Sequence, residues 1–171
     1  MGKDRTETLP RKIGLKPIAA PQTRLLILGS LPGDASLAAG RYYGHRSNQF
    51  WRLVGGVVGE ELYALDYDTR LSRLCEARIG LWDVIASAIR RGSLDQDIRH
   101  AEASDLDTLV THLADLRAVA FNGAKAAAIG KRTLRDRTNI AMVSLPSSSA
   151  ACTMAFVQKA QRWSGLERFL E

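Results

Sequence analysis

Apolar residues along this chain fall into short unbroken runs separated by stretches of helical spacing. RLLILGS at 24–30 is a continuous apolar run closed by a glycine, which reads as a strand buried on both faces. AVAFNG at 118–123 repeats that pattern, and residues 140–144 form a third such strand. GLWDVI at 80–85 is a shorter strand or strand-like turn. Between these runs the apolar positions recur every three or four residues. One helix is expected to begin near Ser47, capped by its hydroxyl, with Phe50, Trp51, Val54 and Val58 on its core side. Leu71, Leu74 and Cys75 mark a second helix over 66–78. Ser104 is the expected cap of a third, through Leu106, Leu109, Val110 and Leu113. Residues 124–135 and 151–164 complete the helical set. Two stretches carry no clear period: 31–46 is too polar and irregular for a regular element, and 90–102 reads as an exposed loop.

Alternating strands and helices imply parallel strands joined by helical crossovers. The expected fold class is therefore α/β, a three-layer α/β/α sandwich around a central, mostly parallel sheet. Residues 24–171 form one domain in this reading. Residues 1–23 form an N-terminal arm, partly flexible, with Pro10, Pro17 and Pro21 among basic residues; Ile13, Leu15 and Ile18 are free to dock it on the domain.

The 171 residues suffice for one sizeable core. Hydrophobic residues make up 46% and charged residues 25%, an ordinary globular composition with no bilayer-length apolar run. The net charge of +6 raises the odds of a polyanionic partner without choosing between nucleic acid and an anionic surface. Cys75 and Cys152 form no metal-ligand cluster; they read as reduced thiols, one of them in the core, which fits a cytoplasmic location.

Ligands of open parallel sheets sit at the carboxyl ends of the strands. Four segments belong there: GSLPGD at 29–34, RYYGHRSNQFW at 41–51, FNGAK at 121–125 and SLPSSSA at 144–150. Glycines in the first allow close backbone approach at Ser30 and Leu31, although alone it is only a strand-exit turn. The second is the densest. Its tyrosines can stack on a base and Arg46 can meet phosphate, while the Asn48 amide can orient water without a shifted pKa. His45 suits proton transfer or a simple surface hydrogen bond. Asn122, at the end of an apolar strand, either faces a ligand or ties two loops together. Ser147, Ser148 and Ser149 are small donors for a nucleic-acid backbone. Asp83 is more plausible as a pin for an arginine or a loop amide than as a catalyst. No nucleotide-loop, zinc or serine-hydrolase motif accompanies them.

GSLPG at 29–33, YYGHRSNQFW at 42–51, GLWDV at 80–84, FNG at 121–123 and LPSSSA at 145–150, in that order, resemble the uracil-DNA glycosylase superfamily. The pattern is most similar to its hypoxanthine-DNA glycosylase branch, close to the mismatch-specific uracil and thymine enzymes, over roughly residues 13–165. The resemblance implies monofunctional excision of a flipped base from DNA, with no metal or organic cofactor; the expected partner is damaged, double-stranded DNA and the expected state a monomer. Leu31 stands where the mismatch-specific enzymes carry an asparagine, and Asn48 matches the leading catalytic asparagine of the hypoxanthine branch. Tyr43 then stacks on the base, Ser30, Leu31 and Asn122 line its pocket, and Arg46 with Ser147–Ser149 meets the DNA; His45 and Asp83 are auxiliary. Ala150 replaces a second proline of the serine loop. Uracil or mismatch excision, and DNA binding without turnover, remain the alternatives.

Overall fold

A computed structural model describes residues 9–171. Strands β2 (Leu25–Gly29), β3 (Ile79–Asp83), β6 (Ala118–Asn122) and β7 (Ala141–Leu145) form a four-stranded parallel sheet in the order β3-β2-β6-β7. The two inner strands, β2 and β6, are buried at every residue, as their unbroken apolar runs predict.

Alternation along these strands splits the core in two. Leu25, Ile27, Ala118 and Ala120 face a layer built from α2 (Phe50–Val58), α3 (Tyr67–Glu76) and α6 (Phe156–Ser164), where Phe50, Trp51, Leu74 and Trp163 pack. Leu26, Leu28, Val119 and Phe121 face α4 (Leu106–His112) and α5 (Ala124–Thr133), where Val110 and Ala126 pack. The result is the expected α/β/α sandwich. At Gly130 of α5 an added Cβ would run into the Phe121 ring, so the helix lies directly on the sheet.

A second, antiparallel sheet flanks the first. It pairs β1 (Lys12–Ile13) with β4 (Ile85–Arg90) and β4 with β5 (Ile98–Ala103). The stretch expected as an exposed loop over 90–102 thus contains a strand, reached through a 3-10 turn at Asp95–Asp97. Only Ile98 of β5 is buried, so its composition hides the strand. The proline-rich arm is partly built in: Leu15 and Ile18 pack on the core and Ile18 bridges to Leu81, whereas Ile13 stays 73% exposed. Lys3 and Arg5 lie outside the described residues.

Several local expectations are corrected. The irregular stretch 31–46 holds a short helix, α1 (Asp34–Ala39). The helix expected at Ser47 begins at Phe50, and its free Phe50 N–H is taken by Asn48 Oδ1 rather than by Ser47. Asp105, not Ser104, caps α4 by accepting from the Thr108 N–H at 3.2 Å. The last helix starts at Phe156 rather than near 151. Neither cysteine is in the core: Cys75 is exposed and Cys152 half-buried. Among the described residues no helix is long and apolar enough to cross a membrane.

Candidate active site

Strands β2, β3 and β6 end side by side, and the segments that follow β2 and β7, with the turn between β4 and β5, enclose a cleft of about 550 Å³ over the ends of β3 and β6. Ser30, Leu31, Tyr43, His45, Asn48, Asp83, Asn122 and Ser147–Ser149 all line it. Arg46 is exposed and lies outside the lining.

Asn48 sits where the chain turns into α2. The backbone N–H of Phe50 must have an acceptor, which fixes Oδ1 of Asn48 against it at 2.9 Å. Ser148 Oγ donates to the same oxygen at 2.8 Å. Both lone-pair directions of Oδ1 are therefore occupied, and the amide N–H₂ is the end left for a ligand. The orientation propagates outward. Ser148 N–H donates to Asn122 Oδ1 at 2.8 Å, so Asn122 Nδ2 must be the donor to Ser148 Oγ at 2.9 Å and to Tyr43 Oη at 3.2 Å. Ser148, expected with its neighbours to contact DNA, is 1% exposed, and its hydroxyl and N–H are spent inside this network. Ser147 and Ser149, half-buried, turn the loop by accepting from the N–H of Ser149 and of Ala151.

Tyr43 has φ 53, a left-handed conformation that costs a non-glycine residue of order 1 kcal/mol. The kink stacks its ring on Phe50, with centroids 3.8 Å apart and planes 13° from parallel. Burial, reinforced by Asp83, pushes the Tyr43 phenol well above its usual range, so its hydroxyl stays protonated at neutral pH. Tyr42, Phe50 and Trp51 are core anchors, each no more than 3% exposed. His45 Nδ1 accepts from the Ser47 N–H at 3.1 Å, which favours the Nε2–H tautomer.

Ser30 Oγ donates to Asp95 Oδ1 at 2.5 Å. The Leu31 side chain is turned into the core beside Val84 and Ile85, so only the backbone of this position remains for a ligand. Asp83, expected to pin an arginine or a loop amide, does neither through Oδ2, which is buried without a partner among the described residues.

Three contributors escape sequence reasoning. Arg90 is fully buried and clamps the first loop by donating to the carbonyls of Leu31 at 3.3 Å, Pro32 at 2.6 Å and Gly92 at 2.8 Å. Lys159, 1% exposed, joins α6 to the site by donating to Gln49 Oε1 at 2.9 Å and to the Ser149 carbonyl at 3.1 Å. Asp95, within the stretch expected as an exposed loop, is a wall of the cleft. Arg90 reaches Leu31 and Pro32, and Lys159 reaches Gln49, across 58 or more positions of sequence, and no local pattern signals that.

A parallel three-layer domain with a cleft at its strand ends, walled by an asparagine loop and a serine loop, is the arrangement that the sequence resemblance implies. The sequence profile of the Uracil DNA glycosylase superfamily matches residues 17–167, and the chain belongs to that superfamily. Similar proteins include the hypoxanthine DNA glycosylase of Methanosarcina acetivorans, 39% identical over 159 residues, or 92% of this chain and 98% of the relative. The hypoxanthine DNA glycosylase of Methanosarcina barkeri is 42% identical over 116 residues, covering 68% of this chain and 73% of the relative. A Methanosarcina acetivorans protein solved by solution NMR superimposes with a TM-score of 0.83 at 37% identity, over 94% of this chain and 99% of that one.

Proposed function

We propose that this protein is a monofunctional DNA glycosylase that hydrolyses the N-glycosidic bond of hypoxanthine flipped out of double-stranded DNA, acting as a cytoplasmic monomer. The observation that carries the reading is the Asn48 amide, locked at the cleft with only its N–H donors uncommitted. The 39% identical hypoxanthine DNA glycosylase, aligned over nearly its whole length, supports the choice of base.

The target base has to leave the stack to reach a cleft at the strand ends. Exposed Arg46 and the rim serines Ser147 and Ser149 meet backbone phosphate. Tyr43, supported from behind by Phe50, offers its other face to the base. The backbone of Ser30 and Leu31 and the edge of Asn122 meet the base's polar atoms, with His45 at the mouth. As the C1′–N bond breaks, the sugar becomes positive and the base negative. Asn48 holds a water through the water's oxygen, leaving a second lone pair for C1′. Placement, rather than basicity, is its contribution.

Leu31 favours the hypoxanthine reading over ordinary uracil chemistry, because its side chain is buried in the core and brings no amide to the cleft. The test is single-turnover excision from duplexes carrying hypoxanthine, uracil, xanthine or ethenoadenine, by native protein and Asn48→Ala. Hypoxanthine release that collapses in the variant is the expected result. Fast uracil release instead moves the protein to the mismatch branch, and binding without release of any base leaves a DNA-binding domain.

A further inference from the structure

We propose that Asp83 is the proton donor to the departing base, an inference that rests on the glycosylase reading above. Asp83 closes β3 directly opposite Gly29, the last residue of β2. Its carboxyl lies over that glycine: a Cβ at Gly29 would sit 2.6 Å from Asp83 Oδ1 and 3.1 Å from Tyr43 Oη. The missing side chain at Gly29 is therefore what lets a carboxyl and a phenol share the floor of the cleft.

The isolation of this carboxyl sets it apart. Asp105 caps a helix, Asp34 and Asp107 hold cations, and Asp95 accepts from Ser30. Asp83 is only 4% exposed, lines the cleft, and has Oδ2 sealed from solvent without a partner among the described residues. A buried carboxyl oxygen with no partner is costly, and a carboxyl on a cleft wall is one that a ligand can complete.

The charged and titratable groups around it favour the acid form. Asp95, from the turn before β5, adds negative charge, while Arg90 of β4 opposes it more weakly. Tyr42 and Tyr43 crowd the carboxyl from the asparagine loop, and both phenols remain neutral. Burial is the largest influence, and together these push the Asp83 carboxyl up to about 7. A carboxyl still protonated near neutral pH is the form an acid catalyst needs.

The step balances as follows. The C1′–N9 bond breaks and its electron pair goes to N9. The Asp83 proton passes to a base heteroatom outside that bond, N7, N3 or O6 of hypoxanthine, so the base departs neutral and Asp83 becomes a carboxylate. The water held by Asn48 adds to C1′ and releases a proton to solvent, from which Asp83 is reprotonated.

The experiment is a pH profile of single-turnover hypoxanthine excision from about pH 5 to about pH 8, for native protein and Asp83→Asn, with DNA affinity and thermal melting measured alongside. The expected native rate is level in acid and falls as Asp83 ionises. Asp83→Asn is expected to be about 100-fold slower at the acid plateau and pH-independent, with unchanged DNA affinity. A variant within threefold of native overturns the proposal while leaving the glycosylase reading intact. So does a slow variant that keeps the native alkaline fall, which marks a structural role. If the variant does not fold, a native rate that stays constant across the range overturns the proposal. Native protein that releases no base at any pH removes the glycosylase reading and this inference with it.

Discussion

Ser148 Oγ donates to Asn48 Oδ1 at 2.8 Å across 100 residues of sequence. With the Gln49 N–H donating to the Ser148 carbonyl at 2.9 Å, that bond ties the serine loop to the asparagine loop, and with the Phe50 N–H it holds Oδ1 of Asn48 away from the ligand end of the amide. Ser148→Ala removes it and also strips an acceptor from Asn122 Nδ2. Single-turnover excision should fall about tenfold, with stability lower by about 1–3 kcal/mol. Unchanged excision would show that the Phe50 N–H alone holds the amide.

Asn48→Asp separates donor from acceptor roles. The aspartate keeps an oxygen for Phe50 and Ser148 but places a second oxygen where the amide N–H₂ had been. Loss of excision by roughly 100-fold is expected, comparable to removing a positioned donor from a transition-state site. An aspartate variant as fast as native would show that the position works as an acceptor for the water's protons.

Arg90→Met should destabilise the protein by about 3 kcal/mol, because three backbone carbonyls lose a buried charged donor. Excision should weaken as well, since the first loop is freed. Arg90→Lys should not restore either property, because an ammonium cannot reproduce the guanidinium fork. Denaturant melts and excision rates on both variants check this.

The pH dependence of stability follows from Asp83. Its folded-state pKa is raised to about 7, so the native state holds a proton that the unfolded chain has already released. Its contribution is fully present below the ordinary aspartate value and is lost as pH rises toward 7, at about 1.4 kcal/mol per pH unit at most. Asp83→Asn cannot ionise and should lose less stability than native between about pH 4 and about pH 7. Parallel melting curves for the two proteins across that range would contradict the assignment.

Gly130→Ala tests the contact between α5 and the sheet. Its Cβ would lie 2.1 Å from the fully buried Phe121 ring. Overpacking should cost about 1–3 kcal/mol despite alanine's better helix propensity. A variant as stable as native would mean that the helix can shift on the sheet.

The buried strands 24–30 and 118–123 were legible because an apolar run with no polar position can only sit between two covered faces. With the helices between them they specify the parallel sandwich, and sheet geometry puts their carboxyl-end loops at one crevice. The residue types at Tyr43, Asn48, Asn122 and Asp83 were likewise visible, and so was the order of the five motifs. The strand at 98–103 was not, because five of its six residues are solvated and its stability comes from pairing with β4.

Sequence alone therefore determined the layer architecture, the family and most of the named residues that meet at the cleft, since these follow from local periodicity and motif order. The tertiary structure decided what each group can do. Ser148 is buried and ties two loops, Asn48 has its oxygen committed and its N–H donors free, and Asp83 Oδ2 has no partner among the described residues. Hydrogen-bond direction and the ionisation of a buried acid depend on neighbours brought together from distant strands. These are set by three-dimensional packing, and no stretch of the chain encodes them locally.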